Sequence, residues 1–211
     1  VPAEPLVTTT SRRVPTQARS RRRVEKMLDA AARLVVERGV EALTTRDIAE
    51  AAGVPVASLY QYFADKDDVL VALAARDMEE MDEQVSRDVT TLLESGAEVT
   101  LASLVRTVME AFVAVYHRRA AFVVLYLRGR TNVAVHRFGR EHNAKIAEAL
   151  YEQARASGLA AGLTPRMAQL AVEVGDRVFQ LAFEHDLHGD PETVEEGIWM
   201  VAAYLESRAA S

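Results

Sequence analysis

The sequence predicts an all-α protein, built as a short three-helix unit near the N-terminus followed by a larger helical domain. Apolar residues recur at helical spacing over most of the chain, as in Val24, Met27, Leu28, Ala31, Leu34 and Val35. Residues that start and stop helices punctuate these stripes: Thr44 with Asp47 three residues on, Gly39, Gly53, Thr164-Pro165 and Asp190-Pro191. The segment Ala120 to Leu127 is apolar almost throughout, but a single strand would have no partner here, so it too reads as a short buried helix.

In chain order, residues 1–18 carry Pro2, Pro5, Pro15 and a Thr-Thr-Thr-Ser run, and read as a disordered basic arm. Arg12, Arg13, Arg19, Arg21, Arg22 and Arg23 make its end basic, which suits either a minor-groove arm or a solubilising tail. A first helix follows to Arg38 and completes, with what comes next, a unit spanning 19–66. Thr44 and Asp47 form a capping box for a short helix that buries Ile48, Ala49 and Ala52, and Gly53 closes it. After Pro55, a second short helix from about Val56 to Tyr62 turns Leu59 and Phe63 inward. Val56, Ala57, Ser58, Tyr60, Gln61 and Tyr62 cover the rest of its surface. Two short helices joined by a glycine turn form the helix-turn-helix pattern, whose second helix lies in the major groove of DNA.

The same residues carry a family resemblance. Thr45-x-x-Ile48-Ala49-x-x-Ala52-Gly53-Val54, then Ser58-Leu59-Tyr60-x-Tyr62-Phe63-x-x-Lys66-x-x-Leu70, resembles the DNA-binding signature of the TetR family of transcriptional regulators. The signature covers Leu43 to Leu70, and the length and helical remainder of the chain also fit. The resemblance implies a homodimeric repressor of a palindromic DNA operator, released when a small molecule binds the larger domain, 67–211. It implies no cofactor.

Charge is placed consistently with that division. Up to Lys66 there are eleven Lys/Arg against eight Asp/Glu, and beyond it fourteen against twenty-three, so the overall −6 conceals a +3 N-terminal part and a −9 remainder. Phosphate binding needs local positive potential and tolerates an acidic protein elsewhere. The sequence has no cysteine, which excludes disulfides and thiolate metal sites. No apolar run approaches the roughly eighteen residues of a membrane span, and no secretory signal is evident, so a cytoplasmic location without membrane contact is expected.

Candidate DNA contacts are Thr45, Arg46, Val56, Ala57, Ser58, Tyr60, Gln61, Tyr62 and Lys66. Arg46 is the leading base reader, because a guanidinium bonds two guanine acceptors at once. Val56 or Ala57 suits a thymine methyl and Gln61 an adenine edge, while the resemblance gives Tyr60 and Tyr62 to phosphates. Lys66 adds its charge to the free N–H groups of a helix start.

Beyond the reader, helices are expected over Lys66 to Leu93, Val99 to His117 and Thr131 to Ser157, followed by two that begin at Pro165 and Pro191. The last two are apolar around more than one face, which calls for a second neighbour, and the resemblance makes that neighbour the same pair in another subunit. Ala171, Val174, Gly175, Val178, Ala182, Ile198, Val201 and Leu205 are the expected interface, with Ala171, Gly175 and Ala182 a small-residue seam. Met109, Phe112, Tyr116, Tyr126, Phe179 and Phe183 are the candidate lining of an effector pocket, with His117, Arg128 or Glu184 as polar contacts. Such a lining favours a hydrophobic or aromatic effector.

One constellation points to a different class. His185, Asp186, His188 and Asp190 are metal-ligand types, so a metal-dependent hydrolase is the alternative reading. Against it, the segment stands at a helix end where His is favoured, and Asp190 is needed as a cap.

Overall fold

The computed structural model of the chain describes residues 18–129 and 132–209, and every regular element among them is helical. The expected arm, with Arg12 and Arg13, lies outside the described residues except for Ala18, which opens the first helix. The N-terminal unit consists of α1 (Ala18–Arg38), α2 (Thr45–Ala51) and α3 (Val56–Leu59). A long helix, α4 (Lys66–Glu94), leaves this unit, and α5 (Leu101–Arg118) packs back along it. Then come α6 (Ala120–Phe122), a π-helical turn (Val123–Arg128), α7 (Val133–Ala156), α8 (Pro165–Ala182) and α9 (Pro191–Ala209).

The predicted start signals act as caps, and Asp65 adds one more. The Thr44 hydroxyl accepts from Asp47 N at 3.1 Å while the Asp47 carboxylate accepts from Thr44 N at 3.2 Å, and Gly53 closes the turn at φ +65°. Asp65 caps α4 through Asp68 N at 2.9 Å, and Asp190 caps α9 through Thr193 N at 3.1 Å. Thr164 accepts from Met167 N at 3.3 Å ahead of Pro165, a cap that contributes about 1 kcal/mol. The second reader helix is shorter than expected. Regular α-helix ends at Leu59, and residues to Tyr62 form a tighter turn, with Tyr62 N bonded to Leu59 O at 2.9 Å. That turn lets both Leu59 and Phe63 reach the core before α4 begins.

One apolar core runs from α1 to α9, so packing is continuous across the expected boundary at Lys66. Val69, Leu70, Leu73 and Ala74 of α4 are fully buried, and α1 packs against α6 and the π-turn as well as α2 and α4. A charged network reinforces this junction. Asp77, 1% exposed on the apolar side of α4, faces Arg76 at 3.4 Å and Arg119 at 3.7 Å. Arg76 also reaches Asp29 (2.8 Å) and Glu25 (3.3 Å) of α1, and Arg119 pairs with Glu80 at 2.5 Å. Burial raises the Asp77 carboxyl above the usual range, and the two guanidinium groups oppose that rise.

The residues of the expected dimer seam are engaged within the chain itself. Ala171, Gly175, Val178, Ala182, Ile198, Val201 and Leu205 are all buried within the single chain, and Val174 is half-buried. Gly197 shows how close the two helices approach: a Cβ there would fall 2.3 Å from Cγ1 of Val178. The small residues thus lie inside one subunit, where α8 packs on α7 and α9, and α9 packs on α5. The apolar groups left outside are Leu170 and Leu181 of α8 and Trp199 (69% exposed) and Met200 of α9. Both helices are apolar on two sides, and helical periodicity gives no means of telling which side is internal.

Candidate nucleic-acid interface and ligand cavity

The reader presents one outward surface. Arg46 and Gln61 are exposed, as are Val56 and Ala57 in the first turn of α3, with Ser58 half-buried behind them. Thr45 Oγ1 and the Tyr60 hydroxyl are bonded at 2.9 Å, which ties the start of α2 to the end of α3 and fixes both groups on the same face. This surface has the composition that major-groove entry requires: small side chains where the helix must sit deep, and long polar ones around them.

Two predicted contacts have partners inside the protein. The Tyr62 ring is half-buried, and its hydroxyl bonds Ser20 Oγ of α1 at 2.8 Å. The Lys66 ammonium donates to the Val40 carbonyl at 3.2 Å, pinning the start of α4 to the loop after α1. Both side chains therefore brace the reader, and Lys66 retains two further N–H donors for an anion. Arg19, Arg22 and Arg23 lie exposed on the first turns of α1.

In the second domain, α5, α7, α8 and α9 surround a cavity of about 110 Å³ that opens to one side. Met109, Phe112, Tyr116 and Phe179 line it as predicted, together with Leu104, Val108, Ile146, Leu150 and Leu205. Phe183 and Tyr126 do not. Phe183 is fully buried, set edge-on to Tyr116 with ring centres 5.4 Å apart. Tyr126 stands one layer behind the wall, where its hydroxyl donates to Asp176 Oδ2 at 3.4 Å. Gly139 makes room for that ring, since a Cβ at this position would fall 2.2 Å from Tyr126 Cε2.

The polar groups proposed for the pocket are used elsewhere. His117 Nε2 donates to the His188 carbonyl at 2.8 Å, Arg128 Nε donates to the Phe183 carbonyl at 2.8 Å, and Glu184 is not part of the lining. The cavity's own polar side chains are Asn143, Asp176, Tyr116 and Tyr151. Asp176 was legible as an anomaly: a carboxylate with Val172, Gly175 and Phe179 around it on one apolar helix face. Burial, with the nearby Glu173 charge, pushes its carboxyl up to about 6, and burial holds the Tyr116 phenol well above its usual range.

The four residues of the metal alternative are not gathered around a common point. Among the described residues no three His, Asp or Glu side chains gather as a metal site. Asp186 accepts from His188 N at 2.8 Å and lies 3.2 Å from His188 Nδ1, closing an exposed turn, while Asp190 caps α9 and His185 joins neither. His188 holds the Asp186 carboxyl below its ordinary range.

A capped helix, a glycine turn and a second short helix with an exposed polar face, carried on a larger helical body, define a helix-turn-helix unit. The chain matches, over residues 27–73, the model for bacterial regulatory proteins of the tetR family. It is similar to the HTH-type transcriptional repressor KstR2 of Rhodococcus jostii, 40% identical over 96 residues that make up 46% of each chain. The chain thus spans about half the length of the curated relatives it matches, 46% for this one and 50% for KstR2 of Mycolicibacterium smegmatis. Among solved structures, a TetR-family transcriptional regulator from Streptomyces coelicolor superposes with a TM-score of 0.70 at 28% identity, over 88% of this chain and 99% of that one. FadR from Bacillus subtilis, in complex with stearoyl-CoA, shares the fold at a TM-score of 0.60 and 20% identity, over 85% of this chain and 98% of that one. The named relatives are regulators, not enzymes. No helix among the described residues is long and apolar enough to cross a membrane.

Proposed function

We propose that the protein is a homodimeric transcriptional repressor that binds an inverted-repeat operator through α2 and α3 and is released by a small, mainly apolar effector held in the cavity. The observation that carries this reading is the physical continuity of α4. One helix begins at Lys66, braced against the reader, and continues for 29 residues into the packing around the cavity. A displacement at its far end therefore moves the reader as a rigid attachment.

Dimer formation is supported by Leu170, Leu181, Trp199 and Met200, a set of large apolar side chains exposed on adjacent helices. The expected seam of small residues is replaced by this outer face. Two readers held by one dimer contact half-sites about one helical turn or somewhat more apart. Changing the distance between them costs contacts at one half-site or both.

The reading is tested by linkage. An effector that favours the wider spacing must lower operator affinity by the same factor by which operator lowers effector affinity. A coupling of about 3 kcal/mol lowers affinity more than a hundredfold. Calorimetry of the effector with and without a selected operator duplex, alongside anisotropy of the duplex with and without effector, should return one factor. Ligands that fill the cavity yet leave operator affinity unchanged would refute release by ligand.

A further inference from the structure

The polar end of the cavity carries information about its occupant. Asn143 is 7% exposed, and its buried Nδ2 stands near the Tyr126 hydroxyl but makes no bond of good geometry. Asp176, on the same wall, receives Gln180 Nε2 at 2.8 Å and the Tyr126 hydroxyl at 3.4 Å, both on Oδ2, so the second carboxylate oxygen takes no bond from the described residues. The Tyr116 ring joins the same wall. Among the described residues that line the cavity there is no Arg, Lys or His. The nearest imidazole acting on Asp176 is that of His136, whose Nε2 is occupied by the Gly129 carbonyl at 2.6 Å. Glu173, on the same helix, adds further negative potential. A buried polar side chain left without a partner costs free energy, and a carboxylate without a cation repels an anion in a low-dielectric site.

We infer that this cavity selects an apolar molecule whose head group is an uncharged or cationic hydrogen-bond donor, an alcohol or an amine, received by the Asp176 carboxylate beside Asn143, and that it rejects a carboxylate or phosphate head group. The inference rests on the reading of the cavity as the effector site and adds the chemistry of the head group. It also distinguishes the site from one built for an anionic ligand, in which a guanidinium or ammonium would stand where Asp176 stands. The cluster lies toward the reader, because α5 runs from Leu101 back along α4 and Tyr116 is near its returning end. A donor bound there touches Asp176, which is bonded to Tyr126 of the π-turn, which in turn packs on α1.

The test uses four probes with one body: naphthalene, 2-naphthalenemethanol, 2-naphthylmethylamine and 2-naphthoate. Each is titrated calorimetrically into the full chain at pH 7.5, and into Asp176→Asn and Gly175→Leu. No heavy atom lies within 4 Å of a Cβ built at Gly175, so the leucine occupies cavity space and reports whether a probe binds there. The parent should bind the alcohol and the amine about tenfold or more tighter than naphthalene, and the naphthoate weakest. Asp176→Asn should cost the amine about tenfold or more and improve the naphthoate, and Gly175→Leu should abolish every probe. A melting curve for each variant establishes that it is folded. If naphthoate binds the parent as tightly as the alcohol or amine and Gly175→Leu removes it, the effector cavity stands and the head-group assignment is overturned. If no probe responds to Gly175→Leu, the cavity is not the binding site and both readings fall.

Discussion

The guanidinium of Arg76 on α4 lies 2.8 Å from the carboxylate of Asp29 on α1 while its Nε lies 3.4 Å from the buried Asp77. One side chain thereby joins the brace helix of the reader to the helix that enters the second domain. Arg76→Ala leaves Asp77 with Arg119 as its remaining cationic partner at 3.7 Å. Breaking a buried pair from one side is expected to cost about 3 kcal/mol in urea unfolding, and adding Asp77→Asn should return part of that loss. Additive single and double variants would show that the two residues do not act as a pair.

Two helix glycines should respond in opposite directions. Gly175 faces open space, so Gly175→Ala is expected to raise stability by up to about 1 kcal/mol through helix propensity. Gly197→Ala places its Cβ against Val178 and should lower stability by about 1 to 3 kcal/mol. Chemical denaturation of the two variants decides, and equal effects would contradict the packing of α8 on α9.

Asp176 gives a stability profile with a definite sign. Its carboxyl is raised from an ordinary 3.8 to about 6 in the folded chain, so between these values the folded protein holds a proton that the unfolded one has released. Stability contributed at this residue is greatest in acid, falls as pH rises from about 4 to about 6, and is flat above. Asp176→Asn should therefore be more stable than the parent at pH 7.5, by at most about 3 kcal/mol, and equal to it near pH 3.5. A parent that is the more stable of the two at neutral pH would remove burial as the dominant influence on this group.

The outer apolar face should carry dimerisation. Trp199→Glu combined with Leu181→Glu is expected to shift sedimentation toward monomer and to weaken operator binding with it, while each monomer stays folded, since both side chains are exposed. An unchanged dimer would place the interface elsewhere.

Local signals were the most readable part of the chain. Thr44, Gly53, Asp65, Thr164 and Asp190 each act through their own few neighbours, so their residue types and spacing determine the turns and caps without reference to the rest of the fold. Met109, Phe112, Tyr116 and Phe179 were identifiable as cavity lining because they fall on inward helical faces. Which apolar side of α8 and α9 is internal was not readable, since two stripes at the same period are equivalent until neighbours are in place. The internal partners of Lys66 and Tyr62 depend on contacts 26 and 42 residues away, which no local pattern encodes. Asp77 and Asp176 were visible as carboxylates interrupting apolar stripes, but the arginines and the amide that give them meaning come from other helices.

The most direct measurement is selection of duplexes from a random library by the full chain, followed by anisotropy titration of the enriched sequence over a range of salt. The reading given above predicts an inverted repeat, strong salt dependence, and a loss of about 1 to 3 kcal/mol for Arg46→Ala that is concentrated at one base pair of each half-site. Lys66→Ala should weaken all sequences alike and also lower stability through the lost Val40 bond. Enrichment of no sequence, or Arg46→Ala and Lys66→Ala variants that bind the selected duplex like the parent, would contradict DNA recognition by α2 and α3.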